Sequence, residues 1–358
     1  MHSLLRSGLA SAMVLGLTSI AAAQAPYYEG KTVTAIVGFS PGGGTDFFGR
    51  LVAENIGEHI AGNPNIVVEN MPGAGSVLAS NYYVDRAERD GTEILVGTGQ
   101  LLMRIVLGLE GSTASLADLE PIVALPMGRI TFGSTEAGIE GPSDLLDPPQ
   151  PLVLGVPEVI STIDAVLGLE LLGADYQAII GYEGKSEAYL AFERGELNLD
   201  AQTTPVYLQQ PAIAVDEGRA VPLFAQGLLD NQGELVRDPA APDIPTVQEV
   251  YRELHGEDPS GPVWEAFKAA VTAIGNGGKI LMIHSDAPEE AKEALAEAVE
   301  GLLADEEFLA EAAEATEGYE FVAGSELNAA VQAVANMSEE DTQWLRDFLT
   351  ENFEMQFE

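Results

Sequence analysis

A buried strand that runs directly into a glycine-rich loop constrains the fold of this chain more than any other feature. Residues 32–39 are β-branched and apolar, which predicts a strand, and residues 40–46 read Ser-Pro-Gly-Gly-Gly-Thr-Asp. Apolar side chains then recur every four positions from Phe48 to Ile60, which predicts a helix with one apolar face. The junction therefore predicts a strand–loop–helix unit, with the loop at the carboxyl end of the strand.

The same unit recurs along the chain. A second strand over 65–68 ends in the loop Pro72-Gly73-Ala74-Gly75, and Ser76 suits the N-cap of the helix that follows. Further strands are predicted at 93–97, 152–156, 177–180, 197–199 and 220–225. This alternation of strands and helices predicts an α/β fold with mostly parallel sheets.

The length of 358 residues is too great for one ordinary domain and suits two. Proline-rich stretches at 147–151 and 238–245 predict loops or linkers. The C-terminal part carries Glu, Ala and Leu at helical spacing, and helices are predicted over 287–303, 305–315 and 339–353. Its many glutamates are interpreted as a solvated helix face and not as a metal site.

The first 25 residues have the pattern of an export leader. Arg6 supplies a positive start, residues 9–20 form a short apolar run, and Ala23-Gln24-Ala25 fits a cleavage site. We therefore expect cleavage near Ala25 and a periplasmic location. An uncleaved membrane anchor is the competing interpretation, and the apolar run is shorter than the roughly 20 residues that span a bilayer. The chain has no cysteine, which excludes disulfides and a thiol nucleophile.

The composition is strongly acidic, with 57 acidic and 16 basic residues and a formal net charge of -41. Nucleic acid and anionic membrane surfaces are therefore not expected as partners, because both are bound through basic surfaces. A large acidic excess keeps a protein soluble while its charges repel one another, and salt screens that repulsion. We interpret the charge as a halophilic adaptation; an ordinary acidic secreted protein is the alternative.

The first glycine-rich loop has the chemistry of an anion site. Glycines let a ligand approach the backbone, and the first turn of a helix presents free N–H groups and a positive dipole end. Thr45 can add a hydroxyl donor, and Asp46 can stabilise the helix start or accept a hydrogen bond from a ligand. The loop does not match a dinucleotide motif, because Phe47 replaces the last glycine, nor a Walker A motif, because Arg50-Leu51 replaces Lys-Ser/Thr.

The sequence has no recognisable catalytic motif. Beyond the leader its histidines stand far apart, at His59, His255 and His284, and neither a G-x-S-x-G elbow nor a calcium-binding loop occurs. We therefore expect no catalytic residue, no metal and no cofactor.

Two glycine loops on consecutive strand-to-helix turns lie at the same edge of a parallel sheet, which is where open α/β sheets bind ligands. Together they predict a carboxylate site.

Several segments resemble the receptors of tripartite tricarboxylate transporters, the TctC or Bug family. The similarity is most specific in the two N-terminal loops and extends over almost the whole chain after the leader. The resembling segments are 31–33, 36–46, 67–75, 90–98, 181–200, 243–246 and 287–289.

The resemblance implies a type II periplasmic binding protein fold, a monomer whose two domains close around a small organic carboxylate and present it to a membrane permease. It implies a first domain formed by 26–125 and 228–358 and a second formed by 126–227, which determines specificity. By position, the ligand-binding residues would be Ser40, Gly42, Gly43, Thr45, Asp46, Gly73, Ala74, Gly75, Ser76 and Thr98 in the first domain, and Gly155, Val156, Tyr182 and Asp200 in the second.

The second domain departs from the family pattern at residues 155–159 and 182–184. Glu158 and Glu183 would disfavour a second ligand carboxylate there, unless Lys185 or a bound cation compensates. We therefore expect a monocarboxylate, or a ligand that carries hydroxyl or amino groups. Two other functions remain open at this point: a ligand-sensing receptor for a membrane signalling partner, and a secreted enzyme that uses the same cleft.

Overall fold

The computed structural model describes residues 25–230 and 232–357, so the predicted leader at 1–24 lies outside the described residues. Its strands are β1 (Thr32–Val37), β2 (Asn65–Asn70), β3 (Glu93–Thr98), β4 (Leu119–Leu125), β5 (Arg129–Ser134), β6 (Leu152–Val156), β7 (Tyr176–Ile180), β8 (Leu199–Thr203), β9 (Ala220–Ala225), β10 (Leu228–Leu229), β11 (Leu235–Val236), β12 (Lys279–His284) and β13 (Val322–Ala323). They form two main sheets and one small hairpin, β10 with β11.

Helices follow most of the strands and cover both main sheets. They are α1 (Gly44–Ile56), α2 (Val77–Arg86), α3 (Gly99–Leu107), α4 (Ile163–Leu172), α5 (Lys185–Glu193), α6 (Thr204–Gln209), α7 (Pro211–Asp216), α8 (Val247–His255), α9 (Pro262–Ala270), α10 (Glu289–Leu302), α11 (Glu306–Ala315), α12 (Gly324–Ala335) and α13 (Glu339–Phe353). A π-helical turn, Val271–Asn276, continues α9. No helix in the described ranges is long and apolar enough to cross a bilayer.

The first sheet has the strand order β13-β4-β12-β3-β1-β2, and the second has the order β7-β6-β8-β5-β9. In the first sheet β1 to β4 share one direction, because β12 pairs antiparallel with both β3 and β4. In the second sheet only β5 runs against its neighbours. The predicted α/β fold with mostly parallel sheets is therefore confirmed.

Apolar periodicity accounts for the packing of the first unit. In α1 the side chains of Phe48, Val52 and Ile56 are buried, as their spacing predicts, and they pack with Val33 and Val37 of β1 in one core. The acidic C-terminal helices cover this core from outside, where Leu295 of α10 is buried while most glutamates of the helix face outward. The solvated-face interpretation of those glutamates fits this arrangement.

A second core connects the two sheets. It joins apolar residues of α3, such as Leu101, to Val156 of β6 and to Ile163 and Leu167 of α4. Helices α8 and α9 also pack against α4, beside the second sheet. The predicted domain bounds at 125/126 and 227/228 stay a prediction; β5 to β9 of the second sheet all lie between them.

Some local predictions need correction. The strand predicted at 197–199 begins instead at Leu199 and runs to Thr203, because Leu197 turns into the core beneath α5. Strands β4, β5 and β12 were not predicted at all. Ser76 does precede α2, yet its backbone is left-handed, with φ 76°, and its side chain forms no capping hydrogen bond.

Candidate ligand-binding site

The carboxyl ends of three adjacent strands bring the predicted loops together. β1 lies between β3 and β2, so the loop 38–43, the loop 71–76 and residue Thr98 emerge at one edge of the first sheet. Each of them leads into the first turn of a helix, α1, α2 or α3, whose N–H groups have no partner within the helix. The first-domain residues predicted from sequence therefore share one edge, which we call the first edge.

Asp46 holds the first loop in shape. Its Oδ2 accepts hydrogen bonds from the Gly42 N–H at 2.8 Å and from Arg50 Nε at 3.0 Å. Its Oδ1 accepts from Asn70 Nδ2 at 2.8 Å and lies 3.0 Å from Arg50 Nη2. Arg50 in particular lowers the pKa of Asp46 to about 2. Protein groups thus occupy both carboxylate oxygens, and Asp46 acts on the site by fixing the loop in which Gly42 and Gly43 are exposed.

The second loop has an unusual backbone. Gly73, Ala74, Gly75 and Ser76 all have positive φ, at 157°, 46°, 61° and 76°. Two of these four residues have a Cβ, and for such residues the left-handed region is sparsely populated and costs free energy. The loop 38–43 holds the second loop in this shape, because Ser76 packs directly against the backbone of Gly38.

Three polar atoms at the first edge are buried without a hydrogen-bond partner among the described residues. They are Ser76 Oγ, Thr98 Oγ1 and Arg104 Nε. Ser76 is fully buried and Thr98 is 2% exposed, so neither hydroxyl is at the molecular surface. Buried polar groups are nearly always hydrogen-bonded. A water molecule or a ligand oxygen at this edge would complete their hydrogen bonds.

The carboxyl-end edge of the second sheet faces the first edge and is rich in ion pairs; we call it the second edge. Arg104 of α3 connects the two, since its Nη2 lies 2.7 Å from Glu158 Oε2 in the turn after β6. On the second edge itself Arg129 Nε lies 2.9 Å from Asp164 Oδ2, and both side chains are buried. Asp164 Oδ1 is buried without a partner in the described part of the chain.

The structure shows the partners of the charges that the sequence places in this region. Lys185, which could have compensated Glu158 or Glu183, has its Nζ 3.4 Å from Asp200 Oδ1. Glu158 is compensated by Arg104 and accepts the backbone N–H groups of residues 160 and 161, so it caps the turn before α4. Glu183 is exposed. Asp200, which was predicted to bind ligand, also accepts hydrogen bonds from Ala201 N and Gln202 Nε2.

The other three residues predicted in the second domain, Gly155, Val156 and Tyr182, contact the apolar cores around β6. A Cβ on Gly155 would overlap Leu197 and approach Tyr182 Cε2 to 3.3 Å, so this glycine allows α5 to lie close to β6. Val156 is buried in the core that joins the two sheets. The structure thus brings Gly155 and Tyr182 together beside α5, at the carboxyl ends of β6 and β7.

Sequence analysis missed a lysine at the first edge. Lys279 begins β12 and stands opposite Thr98, the last residue of β3. Its Cε lies 3.8 Å from the position of a Cβ on Gly44, at the start of α1. Burial, together with the charge of Arg129, lowers the pKa of Lys279 to about 8. The available signal was a single lysine between two glycines and the apolar run at 280–283.

No family model matches the chain. A UPF0065 protein of Bordetella pertussis is 30% identical to it over 276 residues, which make up 75% of this chain and 78% of that protein. The chain belongs to the UPF0065 (Bug) family.

Solved structures support the fold of this Bug-family protein. A TctC solute-binding protein from Polaromonas is 19% identical, with a TM-score of 0.64, and the match covers 90% of this chain and 99% of that one. A Rhodopseudomonas palustris protein with adipate has 18% identity and a TM-score of 0.61, covering 91% and 98% of the two chains. MatC from the same organism, with bound malate, has 19% identity and a TM-score of 0.57, covering 88% and 98%. The predicted periplasmic binding protein fold is thereby confirmed.

Proposed function

We propose that this Bug-family protein is a periplasmic receptor that captures a small organic carboxylate and delivers it to the subunits of a membrane permease. The observation that carries the proposal is the first edge itself. Two loops before helices and the buried hydroxyls of Ser76 and Thr98, which have no partner among the described residues, lie at the carboxyl ends of adjacent strands. Donors that converge at helix N-termini bind a carboxylate well, because its two oxygens accept several hydrogen bonds.

In the proposed complex the carboxylate docks on the backbone of residues 42–46 and 73–76, beside Thr98. The rest of the ligand faces the second edge, where Asp164 Oδ1 is a buried acceptor without a donor among the residues that the structure describes. A ligand hydroxyl or amino group would satisfy it. The two domains, 26–125 with 228–358 and 126–227, would close on the ligand by a hinge, with the protein as a monomer.

The positions of the histidines favour binding over catalysis. His59 lies beside Asp305, His255 contacts the Leu172 carbonyl, and His284 packs near Tyr83. None of these places belongs to the two edges that carry the site. The groups that do face it are helix N-termini, hydroxyls and ion pairs, which suit reversible capture of an anion.

Thermal unfolding of the mature protein against a panel of organic acids, at low and at molar salt, tests the capture step. An acid present at about 100 times its Kd adds about 2.7 kcal/mol to the free energy of unfolding, which raises Tm by several degrees. The panel includes malate, adipate and their monocarboxylate analogues. A folded protein that none of these acids stabilises would contradict the proposal. Uptake into vesicles that carry the permease subunits, with and without the receptor, tests delivery.

A further inference from the structure

Among the described residues, every cation of the two facing edges has an acidic partner except one. Arg104 pairs with Glu158, Arg129 with Asp164 and Lys185 with Asp200. The side chain of Lys279 forms neither an ion pair nor a hydrogen bond within residues 25–230 and 232–357. Asp238, a further buried acid, lies against Gly128 and accepts hydrogen bonds from the hydroxyls of Thr204 and Tyr319, so its partners are not cations of the two edges.

Three features meet at Lys279. Residues directly opposite in an antiparallel pair have Cβ atoms about 5 Å apart on the same face, so Lys279 stands beside the unpartnered, buried hydroxyl of Thr98. Its stem also reaches the first residue of α1, Gly44. The N-terminus of a helix of 13 residues carries a partial positive charge, so two positive ends meet here. An anion between them would relieve this repulsion and accept the hydrogen bond of Thr98.

We propose that Lys279 is the counter-charge of the ligand carboxylate, and that the cleft selects organic acids with a single negative charge. The inference rests on the proposed function and names the ligand class of the same site. A first carboxylate finds Lys279 without a partner. A second carboxylate would meet Arg104, Arg129 and Lys185, each already bound to an acid of the protein, and would have to displace one of them.

The role of Lys279 has a signature that a structural lysine would not show. Lys279 is partly buried, and its ammonium loses hydration without gaining an acidic partner in the described ranges, which destabilises the fold. Replacing it with an apolar side chain of similar length should therefore stabilise the ligand-free protein while it weakens binding. A lysine that supports the fold would behave in the opposite way.

The experiment compares wild type, Lys279→Met, Lys279→Arg and a control, Lys292→Met. Lys292 pairs with Glu120 on the far side of β4, so its removal changes the net charge equally and leaves the cleft intact. Each variant is titrated with matched acids: butyrate and succinate, 2-hydroxybutyrate and malate, hexanoate and adipate. Tm is measured without ligand.

We expect wild type to bind at least one monocarboxylate more tightly than the matched dicarboxylate. Lys279→Met should raise the ligand-free Tm and weaken that binding by about tenfold or more, the worth of a charged hydrogen bond. Lys279→Arg should retain most of the affinity, and Lys292→Met should retain all of it. Unchanged affinity in Lys279→Met, or a wild type that prefers the dicarboxylates, overturns the inference while the receptor function stands. Failure of wild type to bind any acid contradicts the receptor function itself.

Discussion

Ser76 occupies the space in which a side chain on Gly38 would stand. A Cβ built on Gly38 would lie 2.7 Å from Ser76 Cβ and would overlap Ser76 Oγ. The two residues belong to different loops, one after β1 and the other before α2. The absence of a side chain at Gly38 is therefore what allows the left-handed second loop to lie against the first, and the proposed carboxylate site depends on that contact.

Gly38→Ala should separate the two loops. The added methyl group has only the backbone and the short side chain of Ser76 to displace, so we expect a loss of about 1–3 kcal/mol in unfolding free energy, typical of overpacking. Carboxylate affinity should fall as well. Gly141→Ala is the matched control, because Gly141 has an extended backbone and open space around its Cβ position. Denaturant unfolding and ligand titration check both effects, and equal behaviour of the two variants would contradict the contact.

Removing a hydroxyl without a partner should separate binding from stability. In Thr98→Val the side chain keeps its shape and loses Oγ1, which bonds no protein group among the described residues. We expect unfolding free energy to stay unchanged or rise, because no protein hydrogen bond is lost. Affinity for the carboxylate should fall by about 0.5–1.5 kcal/mol, the net worth of one neutral hydrogen bond. Calorimetric titration measures this loss; equal affinity would place Thr98 outside the site.

Local sequence patterns were sufficient to predict the parts of the site that are close in sequence. The glycine loops at 40–46 and 72–76, each between a strand and a helix, lie at one sheet edge as predicted, because consecutive parallel strands end at the same edge. The same reasoning gave the α/β fold. Even so, it could not show that Asp46 is held by Asn70, since that hydrogen bond joins residues 24 positions apart.

Contacts between distant segments account for what was missed. Lys279 reaches Thr98 only because β12 is inserted antiparallel between β3 and β4, and no local pattern indicates that insertion. The pairing of Arg104 with Glu158 likewise depends on how the two sheets face each other, which no local pattern indicates. The ion pairs at the candidate site are therefore poorly predicted from sequence. The glycine loops are predicted well, because each lies between one strand and the helix that follows it.

Binding should weaken as pH rises through the range in which Lys279 loses its proton. Its pKa is about 8 in the ligand-free protein, lowered by burial and by Arg129, and a bound anion raises it. We expect Kd to increase above about pH 8, with no such change in Lys279→Arg, whose charge persists. The stability of the ligand-free protein should instead increase with pH. Between pH 8 and the ordinary lysine pKa of about 10.4, Lys279 holds more protons in the unfolded chain than in the folded one. Its contribution to the free energy of unfolding therefore rises over this range. Titrations from pH 6 to 10 measure the first effect and denaturant unfolding the second.

Releasing Arg104 should change the class of ligand. In Glu158→Gln the side chain no longer neutralises Arg104, which then offers a second counter-charge between the two edges. We expect affinity for malate or adipate to rise relative to the matched monocarboxylates. Stability should fall by about 1–3 kcal/mol, because Arg104 is only 12% exposed and loses its charged partner. Glu183→Gln removes the same charge from an exposed position and serves as the control. A Glu158→Gln variant with the same mono- to dicarboxylate ratio as this control would show that Arg104 does not face the ligand.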